Sequence, residues 1–298
     1  MSRSLADVAG LVRRHAIWMV RDRFPHRKVT REVHGVRMVL PWSHRLPDYS
    51  GPGSVYGQNL VELAAALGGG EAPLTVLDVG ANVGDSALQV LHAVDARILC
   101  VEGDPDYLEF LHLNTDADPR VSIVEALLAT DDRGGSLSAV RGGGTTRFEA
   151  SAGGDGFTTV TVDRLRAEHP DFQRLRLAKS DTDGYDVALV PLIAEAWREQ
   201  PPVLFFEYDH QLSRLAGHDP LAVWDKLATL GYLDVAVWDG GGRALGRTTI
   251  DAAPAQAGSL EGRGGGRARK YWDVAVAHAD DAQGREVLRQ LVPGSLAL

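Results

Sequence analysis

Val76-Leu77-Asp78-Val79-Gly80-Ala81-Asn82-Val83-Gly84-Asp85 decides how this chain is read. An apolar run with the look of a buried strand ends at a carboxylate, and small residues then turn the chain into a helix. Gly80 and Gly84 carry no Cβ, so the backbone at both could approach a bound ligand closely. The helix opening near Gly84 offers free amide groups above the strand ends. Ligands of open α/β sheets settle in that crevice. A dinucleotide fingerprint needs G-x-G-x-x-G to seat a pyrophosphate. Here Asn82 stands at the middle glycine and the last glycine arrives one residue early. Asp78 adds a negative charge that would repel a pyrophosphate and favour a cation such as a sulfonium with an ammonium group.

The second signal is Val101-Glu102-Gly103-Asp104-Pro105, at the end of the next apolar run. Glu102 follows Gly84 by 18 residues, the spacing expected of an acid that grips both ribose hydroxyls of an adenosine-containing ligand. A solvated acid at a strand end is the plainer alternative. Taken together in this order, the two motifs predict adenosyl-ligand binding by Asp78, Gly80, Asn82, Gly84, Glu102 and Gly103.

Outward from these motifs, short apolar runs alternate with helical patterns, which predicts a mostly parallel sheet with helices on both faces. Strands are expected at Leu74–Val79, Arg97–Val101, Val121–Glu125, Thr158–Val162, Arg176–Lys179, Val203–Glu207, Asp234–Trp238 and Trp272–Ala277. Helices are expected around Gly84–His92, Asp106–Asn114, Val187–Glu199 and Leu221–Leu230, with Asp163 capping a further one. Residues 4–24 have amphipathic helical spacing, Lys28–Leu40 alternates around a turn at His34-Gly35, Trp42–Ser54 has loop composition, and Tyr56–Leu67 is helical again. The chain therefore divides into an N-terminal helical and hairpin cap, 1–70, and an α/β domain, 71–298. Gly134–Gly156 and Gly240–Gly266 are too poor in apolar residues to pack and are expected to form mobile loops.

Composition narrows the classes. The 298 residues carry a net charge of −9, so no global basic field draws in nucleic acid, and none is expected as a partner. A local basic group remains at Arg263, Arg267, Arg269 and Lys270. The single cysteine, Cys100, lies in a buried-strand pattern, which fits a cytoplasmic protein. Leu11–Phe24 lacks the continuous apolar stretch of a signal peptide, and no run of about 18 apolar residues predicts a membrane span.

The chain resembles the FkbM family of S-adenosylmethionine-dependent methyltransferases. The likeness rests on Asp78–Asp85, Val101–Pro105, Leu111-His112-Leu113-Asn114, Thr161-Val162-Asp163-Arg164-Leu165, Leu177–Asp186 and Pro202–Glu207, covering about 74–210. It implies a Rossmann-like class I methyltransferase sheet, S-adenosylmethionine as cofactor, and O-methylation of a hydroxyl on a sugar or other small specialised metabolite. The family's usual Lys-Ile-Asp-Val-Glu-Gly-Ala-Glu is Lys179-Ser180-Asp181-Thr182-Asp183-Gly184-Tyr185-Asp186 here. Both glutamates are one methylene shorter and Tyr185 replaces an alanine, which alters the acceptor pocket more than the reaction.

Methyl transfer is an in-line displacement, so the protein chiefly aligns the acceptor oxygen and removes its proton. Catalytic candidates at the fourth and fifth strand ends are Lys179, Asp181, Glu207 and His210, with Asp183 and Asp209 nearby. Asp181 and Glu207 could share a proton, hold the hydroxyl, or ligate a divalent cation through hard oxygens. Lys179 is more readily an ion-pair partner than a base, and His210 is either a base or a loop histidine. Trp42, His44, Tyr49 and Tyr56 could wall the acceptor pocket. The competing class is a non-catalytic cofactor- or partner-binding protein that keeps the fold. Oligomeric state, including a homo-oligomer, is left open.

Overall fold

The computed structural model describes residues 15–70, 72–131, 137–142, 145–150, 156–260 and 271–296. Residues 15–21 form a helix (α1), the described part of the amphipathic stretch expected at 4–24. The alternating segment becomes an antiparallel hairpin, β1 (Lys28–Val33) and β2 (Val36–Pro41), turning at His34-Gly35 with φ of 48° and 81°. Within the stretch expected to be loop, a short helix, α2 (Leu46–Tyr49), buries Leu46; helix α3 (Gln58–Leu67) follows.

From there strand and helix alternate: β3 (Leu74–Val79), α4 (Asp85–Ala93), β4 (Ala96–Glu102), α5 (Pro105–Thr115) and β5 (Val121–Glu125). Short strands β6 (Leu127–Ala129), β7 (Leu137–Gly142), β8 (Thr145–Ala150) and β9 (Thr159–Thr161) lead to α6 (Val162–Glu168). The second half runs β10 (Leu177–Ser180), α7 (Asp186–Ala196), β11 (Val203–Tyr208), α8 (His210–Leu215) and α9 (Ala222–Thr229). It closes with β12 (Tyr232–Asp239), β13 (Ala244–Thr249), α10 (Ala253–Ala257), β14 (Trp272–His278) and α11 (Ala282–Leu291).

The main sheet has eight strands in the order β13-β12-β14-β11-β10-β3-β4-β5. Pairs from β11 through β5 are parallel, while β14 runs antiparallel between β11 and β12. The chain thus winds outward from β3 in one direction to β5, then in the other from β10. The switch point lies between β3 and β10, the place where such sheets open a crevice. This is the Rossmann-like class I arrangement, with an N-terminal helix and hairpin extension.

Period-two alternation assigns each side chain to a face. Leu77, Val79, Leu99, Val101, Leu204 and Phe206 form one core with helices α7 and α9. Val76, Ile98, Cys100, Leu177, Val203 and Phe205 form the other with α3, α4 and α11. Burial on both faces explains why the central strands are apolar almost throughout. The N-terminal hairpin adds a third cluster, in which Val33, Met38 and Leu40 meet Val83, Tyr107 and Phe110. Asn114 fastens it: its amide donates to Val39 O (2.9 Å) and Val83 O (2.7 Å) and accepts from Val39 N (2.7 Å).

Several expectations change. The Gly-rich stretches do not stay loops: the hairpin β7–β8 falls in the first, and β13 with α10 in the second. Residues 132–136, 143–144, 151–155 and 261–270, which include the Arg263–Lys270 basic group, lie outside the described residues, as does 1–14. Thr161, not Asp163, caps α6, its hydroxyl accepting from Arg164 N at 3.4 Å. Asp163 occupies the first turn instead, where its charge suits the helix dipole. No helix among the described residues is long and apolar enough to cross a membrane.

Candidate functional site

The carboxyl ends of β3, β4, β10 and β11 surround a cavity of about 210 Å³, closed on one side by the N-terminal extension. The turn after β3 contributes Gly80 and Asn82, and the end of β4 contributes Glu102 and Gly103. Lys179, Asp181 and Asp183 enter from the β10 end and Glu207 from the β11 end. His44, Tyr49 and Tyr56 reach it from the extension, whereas Trp42 is occupied by Arg27, whose guanidinium lies 4.5 Å from the ring centre. Tyr185, the enlarged position of the motif, is also in the wall.

The β3 turn is shaped by the protein's own crowding. Asn82 has φ of 52°, a conformation that Asn tolerates better than most residues. Gly80 has φ of 72°, and a Cβ there would lie 2.0 Å from the carbonyl oxygen of Asp181. Gly84 has φ of 82°, and its Cβ would lie 2.8 Å from Leu111 Cδ1. At both glycines neighbouring chain occupies the space a Cβ would take, and Gly80 also lines the cavity. Gly84 is absent from the cavity wall and works as the turn into α4.

Glu102 is fixed by three backbone donors. Its Oε1 accepts from Gly103 N (2.9 Å) and Asp104 N (2.7 Å), and its Oε2 from Asn82 N (2.8 Å). Burial pushes its carboxyl up, and the three N–H groups pull against that rise. A carboxylate has about four acceptor positions, so roughly one remains, on Oε2.

Lys179 and Asp78 make a buried ion pair, Nζ to Oδ1 2.9 Å, with side chains 6% and 3% exposed. Lys179 Nζ also donates to Gly80 O at 2.9 Å, so the pair locks β10 to the β3 turn. Burial alone would lower the lysine's pKa, but the carboxylates of Asp78, Asp181 and Asp85 outweigh it and hold the ammonium protonated. A base role for Lys179 is therefore replaced by a structural one. Asp78 does not reach the cavity wall.

His210 is placed elsewhere as well. It is buried, and its Nε2 lies 2.9 Å from Tyr208 Oη. That hydroxyl also receives Trp224 Nε1 (2.9 Å) and lies 3.2 Å from Pro220 O. The His210 ring packs with Tyr208 in an aromatic cluster and is not part of the cavity wall. Asp209 caps α8 through Leu212 N at 2.9 Å. Asp186, the last acid of the motif, accepts from Ser180 Oγ, Thr182 Oγ1 and the amides of Thr182 and Gly184. It holds the Ser180–Gly184 loop in shape, which positions Asp181.

Three groups escaped sequence reasoning: Asp85, Asp273 and Tyr271 all line the cavity. Asp273 faces Glu207 directly across the β11–β14 pair and accepts from Asn59 Nδ2 at 2.7 Å. Burial raises Asp273 to about 7, with Asp181 adding to the rise, and Asp85 is raised to about 6, again mainly by burial. Glu207 is pushed well above the carboxylate range by burial and by Asp181, Asp183, Asp186 and Asp273. Among the described residues no group of three or more His, Cys, Asp or Glu side chains is arranged to hold a metal ion, Asp181 and Glu207 included.

Asp273 gives a pH test with a definite sign. Its folded-state pKa lies above the ordinary value of 3.8, so the folded chain binds the extra proton between about pH 4 and 7. The associated stability is full below that window and lost as pH rises through about 7. Asp273→Asn should therefore raise stability at pH 8 by on the order of 1–2 kcal/mol and change it little at pH 4. Urea melts at both pH values check this; an equal effect at each would contradict it.

No family model matches the chain, and no curated protein matches it. Solved structures similar to it include an O-methyltransferase from Bacillus cereus in complex with SAH, 11% identical, TM-score 0.42, covering 74% of this chain and 80% of that one. A precorrin-6y C5,15-methyltransferase from Geobacter metallireducens is 13% identical, TM-score 0.39, covering 74% of this chain and 88% of that one. The methyltransferase FkbM from Methylobacillus flagellatus is 13% identical, TM-score 0.38, covering 69% of this chain and 44% of its own length.

Proposed function

We propose that the chain is an S-adenosylmethionine-dependent methyltransferase that methylates a hydroxyl of a small molecule, as its FkbM-like motifs imply. The observation that carries the reading is Glu102, held by three amides in the wall of the switch-point cavity with one acceptor position left on Oε2. The donor set suits the cofactor's charge. Asp85, Glu102, Asp181, Asp183, Glu207 and Asp273 line the cavity with Lys179, whose charge is already committed to Asp78. Such a lining favours a cation and repels the pyrophosphate of a dinucleotide. It equally opposes a nucleic-acid acceptor. The buried lone thiol, Cys100, is consistent with a cytoplasmic setting.

When bound, the cofactor supplies a methyl carbon on a positively charged sulfur, ready for displacement. The chain's own residues do the rest. Glu102 takes a ribose hydroxyl and fixes the adenosyl end. Asp181, open to the cavity at the end of β10, accepts the proton of the acceptor hydroxyl as its oxygen attacks. Glu207, at the end of the neighbouring strand β11, lines the same wall and orients the acceptor. His210 has no part in this scheme, and no step requires a metal.

Asp181→Asn should leave S-adenosylhomocysteine affinity within about twofold while lowering methyl transfer at least about 100-fold, the low end of general-base effects. Labelled S-adenosylmethionine with a mixture of sugars and phenols measures the transfer. A variant as active as the parent would remove Asp181 from the mechanism.

A further inference from the structure

The far wall of the cavity, around Glu207 and Asp273, is unusual in its charge. The β11–β14 register sets these two acids directly opposite each other, an arrangement that is destabilising in a sheet unless something intervenes. Asn59 serves Asp273, but Glu207 Oε1 is shut off from solvent and receives no hydrogen bond. Among the described residues it makes no ion pair, and Lys179 is turned to Asp78 and Gly80 O. Tyr56 and Tyr271 complete this wall, and aromatic faces also attract cations. Burial and the surrounding acids raise both tyrosines, which keeps them neutral. The pair lies three and four strands away from Glu102 in the sheet order, roughly 14 and 19 Å at ordinary strand spacing. It therefore belongs to the end of the cavity opposite the adenosyl contact.

We infer that the acceptor is an amino alcohol or amino sugar whose ammonium group seats between Glu207 and Asp273 and brings its hydroxyl to Asp181. An ammonium offers three donors, enough to hydrogen-bond both carboxyl groups together. A neutral polyol would leave the opposed acids uncompensated, and a phosphorylated or carboxylated acceptor would be repelled. The inference deepens the methyltransferase reading of the same cavity and rests on it for the reaction, though not for the binding.

Saturation-transfer NMR on the full chain tests it, with glucosamine, tyramine and ethanolamine set against glucose, 4-ethylphenol and ethylene glycol. Each probe is run with and without S-adenosylhomocysteine, whose own binding is followed by calorimetry. At least one amine should bind at least about tenfold tighter than its neutral counterpart. Glu207→Gln or Asp273→Asn, folded by circular dichroism, should erase that preference. No preference in any pair, or no amine binding at all, overturns the inference. An intact amine preference without S-adenosylhomocysteine binding overturns the methyltransferase reading and leaves the amine site standing.

Discussion

Glu102→Ala should destabilise the protein and weaken S-adenosylhomocysteine binding at least tenfold, about 1.4 kcal/mol. The substitution strips an acceptor from Gly103 N, Asp104 N and Asn82 N at once. A buried donor without a partner costs about 1–3 kcal/mol. Water entering from the cavity would relieve part of this, so a net loss of roughly 3 kcal/mol is expected in denaturant melts. Glu102→Gln is a sharper probe. It keeps the size but turns one acceptor oxygen into an amide donor, which must face an N–H on one side or the other. It should fold better than the alanine variant and still bind S-adenosylhomocysteine poorly. Parental affinity in both variants would refute the ribose contact assigned to Glu102.

The second large effect lies behind the cavity. Lys179→Met should cost about 3–5 kcal/mol, because it leaves Asp78 charged and alone in the interior. Methionine fills a similar volume, so lost packing contributes little. Adding Asp78→Asn should recover much of the loss, since the double variant has no uncompensated charge. Urea melts of the two single variants and the double variant give the coupling directly. If the double variant is no more stable than Lys179→Met, the pair is not what holds the β3 turn to β10.

The β3 and β4 side of the cavity was legible because it is built from local sequence. Leu74–Val79 and Ala96–Glu102 are strands buried on both faces, and each carries an acid at its carboxyl end. The chemistry inside each motif was harder to read. The spacing of Gly80 and Gly84 announces tight turns, but only the fold shows that Asp181 and Leu111 occupy the space a Cβ would need. The carboxylates of Asp78, Glu102 and Asp186 look alike in one dimension. In the structure they are an ion pair, a backbone clamp and a loop brace.

The pairing of Glu207 with Asp273 was hidden by topology. Asp273 meets Glu207 only because β14 inserts antiparallel beside β11, and no local pattern around Trp272 announces that neighbour. His210 looked available because it follows the acids at the end of β11, but α8 turns it under Tyr208 and Trp224. Strand β13 escaped notice for a different reason. It is an edge strand with a single buried position, Gly246, whose missing side chain lets Ser295 and Leu296 lie against it. Edge strands carry too little apolar alternation to stand out from loop composition.

The switch-point cavity is proposed to take an adenosyl sulfonium ligand and not a dinucleotide. Calorimetric titration of the intact protein with S-adenosylhomocysteine and, separately, with NAD tests it most directly. Saturable heat with the first and none with the second is the predicted result. Heat with NAD alone, or with neither ligand, would contradict the assignment.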